Sequence, residues 1–187
     1  MRGKFKMKWH FAELQNYKTE PLQVDETLDV KAAMLEKFSD IVLDIEPVHV
    51  TGFIQADRDD VMVHFHIETT VTTPSSRSLE PVALPLETDM DEIYIQEESH
   101  ADRYEDDETI ILIDYDLVDF SEAIMETIVV SIPMQVLTDA EKNSDDMPAG
   151  KDWEVISEDA YEARKAEDPD AKNTPLAGLA DMLKDDE

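Results

Sequence analysis

The chain contains no cysteine. Disulfides, thiol nucleophiles and cysteine-ligated zinc are thereby excluded, and any metal site would have to be built from histidine and carboxylates. Glycine is nearly as scarce. Gly3, Gly52, Gly150 and Gly178 stand far apart, so neither a glycine-rich phosphate loop nor a G-x-S-x-G nucleophile elbow can be assembled. Positive charge is short as well, with 16 Lys and Arg against 46 Asp and Glu and a formal net charge of −30. Such a field repels phosphate backbones, so any contact with RNA should be indirect or weak. What it attracts is divalent ions, polycations and Lys/Arg-rich proteins. Solubility alone is also a sufficient reason for a large net charge. No apolar run approaches the roughly 20 residues of a membrane-spanning helix. The longest, Ile110–Ile113 and Ile128–Val130, are core-sized. Arg2, Lys4, Lys6 and Lys8 make the N-terminus basic, yet no apolar stretch follows to make it a secretory signal, and a cytoplasmic address is expected. Met7 is a candidate start, with the first six residues then an addition.

What is present is enough for a core. The 187 residues are 42% hydrophobic and 33% charged, the mixture of a folded domain carrying polar segments. The acid is concentrated in two blocks. Residues 87–108 hold eleven acids and one base, Arg103, and residues 139–187 hold sixteen acids and six bases, each a net of −10. Blocks of this kind are solvated loops or tails, and often interaction segments.

The pattern predicts an α+β domain over residues 1–138 and an acidic, largely extended tail over 139–187. Leu22–Val24 suggests a short strand, and Asp29 can cap a helix to about Phe38 in which Val30, Met34 and Phe38 recur every four residues. Then the period changes. Runs at 41–43, 48–54, 61–71 and 79–86 are β-branched and partly alternating, broken by Pro47, Asp57–Asp60, Pro74–Ser76 and Pro85. Val61, Val63, Phe65 and Ile67 share one face, with Met62, His64, His66 and Glu68 on the other. Segments 92–96 and 109–113 read as two further strands flanking the acidic loop. Together these make an antiparallel sheet or an incomplete β-barrel with one or two packed helices. Asp119 opens the clearest helix, with Glu122 placed for a capping box and Ile124, Ile128 and Ile132 forming its stripe before Pro133. In the tail, Trp153–Ile156 is unusually apolar. Thr174 can cap a short helix that puts Leu176, Leu179 and Leu183 on one face.

Few residues ask for a chemical role. His64 and His66 lie on one strand face at a spacing that holds a transition metal if a neighbouring strand adds a ligand such as His49 or Glu68. Half-exposed strand histidines are nevertheless common without one. Asp57–Asp60 and Glu105–Glu108 lack the spacing of a calcium loop and read as a turn and a solvated loop. Carboxylates are so abundant that nominating a pair for acid–base work means nothing. No catalytic residue, cofactor or metal ligand is assigned.

One stretch adds to this reading. Pro74-Ser-Ser-Arg-Ser-Leu-Glu-Pro-Val82, between two strands, resembles the Cys-x-Arg-Cys-Leu-x-Pro-Val turn of the YceD family of large ribosomal RNA accumulation proteins. Ser75 and Ser78 stand where the cysteines would be. Arg77, Leu79, Pro81 and Val82 match. Glu20–Leu28, Val48–Gly52, Ile132–Leu137, Gly150–Val155 and Asn173–Leu183 are similar to further family segments in the same order, although the last lacks the family's Arg. Family members commonly carry cysteines suited to zinc. The resemblance is to a cysteine-free variant, so it does not carry over a structural zinc and implies that the core supplies that stabilisation.

The resemblance implies a non-catalytic role in 23S ribosomal RNA accumulation and large-subunit biogenesis. Combined with the charge, it implies a basic ribosomal protein or large-subunit precursor as partner and no membrane. The candidate partner-binding residues are Arg77, Leu79, Glu80 and Pro81 in the turn, with Trp153, Leu176, Leu179 and Leu183 as apolar anchors in the tail. Folding of those anchors onto the protein's own sheet is an equal alternative for them. A generic acidic adaptor, or a metal-dependent enzyme using His64 and His66, are the competing functional classes.

Overall fold

A computed structural model describes residues 7–114, 116–142, 149–156 and 158–167. The chain divides into two units, residues 1–138 and 139–187, each taken by itself. The first begins with β1 (Lys8–His10), α1 (Phe11–Leu14), β2 (Leu22–Leu28), α2 (Lys31–Lys37), β3 (Asp44–Ile45), β4 (Val48–Asp57), β5 (Asp60–Pro74) and β6 (Pro81–Ile95). A 3₁₀ helix (Glu98–Arg103), β7 (Ile110–Leu112), β8 (Leu117–Asp119) and α3 (Phe120–Val130) complete it.

The fold is α+β. Five strands lie in the order β2-β4-β5-β6-β7, with β3 also against β5, and the sheet stays open with β2 and β7 as edges rather than closing into a barrel. Neighbours are antiparallel except β6 and β7, whose parallel pairing sets Ile93 opposite Ile110. Residues 96–109 supply the crossover that a parallel neighbour requires. The expected strands at 79–86 and 92–96 are one continuous strand, β6. Pro85 does not interrupt it because β7 covers only Ile93–Ile95, leaving the flank of Pro85 without a neighbour that needs its missing N–H. The apolar run at 41–43 lies just before β3 rather than in a strand.

Alternation places the core. Val61, Val63, Phe65 and Ile67 are buried on the inner face of β5, together with Val48, Val50 and Ile54 of β4. Helix α3 covers this face through Phe120, Ile124 and Ile128. The Phe120 ring meets Phe65 and Tyr94 edge-on at 5.7 and 5.2 Å and Trp9 at 5.5 Å. Burying a phenylalanine of this kind contributes about 1.5–3 kcal/mol before the aromatic geometry adds to it. Gly52 sits opposite Phe65 with φ 145°, and a Cβ there would fall 2.0 Å from the His64 carbonyl oxygen, so only glycine lets the two central strands approach.

Asp119 caps α3 by accepting from the Ser121 N–H at 3.1 Å, but Glu122 does not close a box. Together with Glu126 it accepts from Lys37 Nζ, at 2.8 and 2.7 Å, clipping α2 to α3. Strand β1 pairs with β8, and the buried Met7 carbonyl accepts from Phe120 N–H at 2.8 Å. In the second unit, α4 (Asp139–Lys142), a bridge between Ala149 and Glu154, and α5 (Glu158–Glu167) occupy ground the sequence reading left extended. Ala160, Ala163 and Ala166 among Glu and Arg are strong helix formers, which outweighs the lack of an apolar face in α5. Among the described residues no helix is long and apolar enough to cross a membrane.

Candidate functional site

Pro74 and Pro81 face each other at the ends of β5 and β6, and the six residues between them form a tight hydrogen-bonded turn. Its centre is Ser75, which is fully buried. Ser75 N–H donates to the Glu80 carbonyl at 2.8 Å, and its carbonyl accepts from Leu79 N–H at 3.1 Å. The Ser75 hydroxyl oxygen accepts from the amides of Arg77 and Ser78 at 3.1 and 3.3 Å. Ser78 repeats the device, accepting from Glu80 N–H at 3.3 Å. The two serine hydroxyls therefore organise the turn by hydrogen bonding. Closing it forces Leu79 to φ 63°, a left-handed position uncommon outside glycine and asparagine, and leaves its side chain 73% exposed.

The turn also grips the segment after α3. Ser76 N–H donates to the Val136 carbonyl at 2.7 Å, and its hydroxyl oxygen accepts from Val136 N–H at 2.9 Å. Arg77, Leu79, Glu80 and Pro81 are thus brought together in one surface feature. Trp153 belongs to the second unit, 59% exposed, with its indole over Gly150; a Cβ there would fall 2.2 Å from the ring nitrogen. Leu176, Leu179 and Leu183 lie outside the described residues.

His64 and His66 project from the outer face of β5 as their spacing predicts, but each faces carboxylates of β6 rather than a shared ligand set. His64 Nδ1 meets Asp91 at 2.6 Å. His66 Nδ1 meets Asp89 at 2.7 Å, with Glu87 at 3.4 Å from Nε2. One row along, His49 lies between Asp25 at 2.9 Å and Glu68 at 3.3 Å. The Asp25 carboxylate, and then Glu68, raise the His49 pKa above its ordinary value, and Asp89 does the same for His66. Among the described residues no group of three or more His, Asp or Glu side chains is arranged to hold a metal ion.

A third cluster escaped the sequence reading. Asp60, 1% exposed at the start of β5, receives His100 Nδ1 at 2.5 Å, Tyr104 Oη–H at 2.8 Å and Arg103 at 3.0 Å. Burial pushes the Asp60 carboxyl up, but the hydrogen bonds from His100 and Tyr104 and the charge of Arg103 outweigh it and hold the group below the usual carboxylate range. Tyr104 is pushed up to about 12 by burial and by the Asp60 carboxylate. The acidic connection after β6 is therefore pinned at its middle rather than loose. The signal was present in the sequence: one histidine, one arginine and one tyrosine close together in a block of acids.

Residues 63–183 match the family described as Large ribosomal RNA subunit accumulation protein YceD. The chain belongs to the YceD family. Across nearly its whole length it is also similar to the uncharacterized protein YlbN of Bacillus subtilis (strain 168), at 32% identity over 182 residues, 97% of this chain and 99% of that protein. No solved structure matches it. The Ser75–Ser78 turn, both sheet-face histidines on β5 and α3 lie inside the span matched to the YceD family, while β1, β2 and β4 lie before it. The family's description is of an accumulation protein, not of an enzyme.

Proposed function

We propose that this YceD-family chain is a non-catalytic ribosome assembly factor that supports accumulation of the large-subunit ribosomal RNA by binding a basic ribosomal protein or an assembly intermediate. The observation that carries the reading is the family match over residues 63–183. Charge supports the mechanism. At −30 the chain disfavours naked RNA, whereas a Lys/Arg-rich protein is attracted to it and can be kept from mispairing with RNA phosphates. The proposed contacts are the turn residues Arg77, Leu79, Glu80 and Pro81, with Trp153 and Leu176, Leu179 and Leu183 as apolar anchors. The site of action is the cytoplasm.

Sedimentation of a native lysate at low and moderate salt tests the role. Co-migration with large-subunit precursors, weakened by salt, is the expected result, and a protein that stays at the top of the gradient at every salt would overturn stable association. Deleting residues 139–187 should reduce capture of basic ribosomal proteins; undiminished capture would remove the tail from the mechanism.

A further inference from the structure

The outer face of the sheet carries a groove whose lining residues do not include the Ser75 turn. It has a volume of about 440 Å³ and lies at the β4–β5 hairpin end of the sheet. Phe53, Met62 and Ile93 form its apolar floor, and Asp91, Asp107 and Glu108 stand around it. Phe53 and Met62 are only half-buried, and the Phe53 ring lies 5.5 Å from the His64 ring at 36°. Half-exposed apolar groups in the middle of a charged sheet face are what a recognition groove has and a merely solvated face lacks.

Charge decides what fits. Register places Asp25, Glu68, Glu87, Asp89 and Asp91 on this one face of β2, β5 and β6. Among the described residues of β2, β4, β5 and β6, no Lys or Arg shares the face; its only bases are His49, His64 and His66. Glu87, Asp89 and Asp91 occupy alternate positions along β6, so their repeat is roughly 6.8 Å, the spacing of alternate side chains in any extended peptide. A Lys or Arg stem can lie on Phe53, Met62 and Ile93 while its head reaches the carboxylates, and a guanidinium can stack over Phe53. A second copy of this face would set acid against acid, and the acidic C-terminal unit meets the same repulsion. Nucleic acid is repelled outright.

We propose that this groove and the adjoining β6 row dock an extended segment of a basic protein in which Lys or Arg recurs at every second residue. The proposal rests on the reading that the partner is a basic protein. It gives that partner a second surface in addition to the Ser75 turn.

The test uses the full chain and a fluorescent eleven-residue peptide with Arg at alternate positions, read by anisotropy. Two variants address the groove: the double substitution Asp91→Asn with Glu108→Gln, and Phe53→Leu, which keeps an apolar side chain and removes the ring. Glu36→Gln with Asp40→Asn, exposed and away from this face, removes the same charge as the double variant. Thermal midpoints of all variants confirm that each is folded. The groove variants are expected to weaken binding on the order of tenfold and the control less than about twofold. Equal weakening by the groove and control pairs would mean diffuse attraction to net charge and would overturn the proposal. So would peptide binding that appears only after residues 1–6 are removed, because the chain's own basic N-terminus would then be the occupant. Groove-dependent binding with no sedimentation alongside large-subunit precursors keeps this inference and discards the ribosomal role. Co-sedimentation that ignores the groove variants does the reverse.

Discussion

Strand β5 has two faces made from the same fifteen residues, and they obey different rules. The inner one is Val61, Val63, Phe65 and Ile67, all buried, with Phe65 against Phe120 of α3 and no charged side chain among them. The outer one is Met62, His64, His66 and Glu68, half-exposed or exposed, with each histidine set against acid from the next strand. Stability is concentrated on the inner face, so the outer one is free to be charged and to face a partner. Asp60, at the head of the same strand, is the exception: an outward-side acid that is buried because the 3₁₀ helix folds over it.

The largest effect should come from the inner face. Phe120→Ala or Phe65→Ala is expected to cost about 3–5 kcal/mol in urea unfolding, since each leaves a cavity between sheet and helix. By contrast His64→Ala should stay within about 0.5 kcal/mol. A similar cost on both faces would break the comparison.

Asp60→Ala comes next, at about 3 kcal/mol, because it strands the groups of His100, Arg103 and Tyr104 that it holds. The more selective variant is Asp60→Asn. A carboxyl held below its ordinary pKa stabilises the fold fully above the unfolded value of about 4 and loses that contribution as pH falls through the folded value. The variant should therefore lose the part of the acid-side slope that Asp60 supplies; an unchanged slope would show that the cluster does not couple to folding.

Ser75→Ala is expected to cost about 1–2 kcal/mol by leaving the Arg77 and Ser78 amides without their acceptor. Hydrogen exchange should quicken at Arg77 and Ser78 while the β4–β5 ladder is unchanged. Protection lost across both would mean that the turn supports the whole sheet.

The smallest effect belongs to the outer histidines. Asp25 and Glu68 raise the pKa of His49, so its pairing contributes fully below about pH 6.5 and fades as pH rises through the raised folded value. Asp25→Asn should lower the His49 midpoint in an NMR titration, with little change in unfolding; an unmoved midpoint would remove Asp25 as the cause.

Periodicity carried the sequence reading well where one physical rule acted alone. The alternation of β5 and the Ile124–Ile128 stripe of α3 were both legible, since burial on one face imposes its period directly. The continuous β6 was not, because whether Pro85 breaks a strand depends on a neighbour that sequence does not show. The parallel direction of β7 and the burial of Asp60 share that cause: both depend on where the chain from 96 to 109 travels. Within the candidate site, the Ser75 turn was legible by resemblance, whereas Phe53 passed unnoticed because its partner His64 lies on the next strand.

The pairing of β1 with β8 has a consequence for how the protein is made. Lys8 cannot find Asp119 until more than half of the chain has been synthesised. At usual rates of about 5–20 residues per second that is a delay on the order of ten seconds. Throughout it, the hairpins β4–β5 and β5–β6 can close on their own, while Met7, Trp9 and Phe11 wait with their apolar surfaces uncovered. Residues 7–11 are thus among the last of this domain to be secured, and a nascent chain paused before Phe120 would carry an unsealed core.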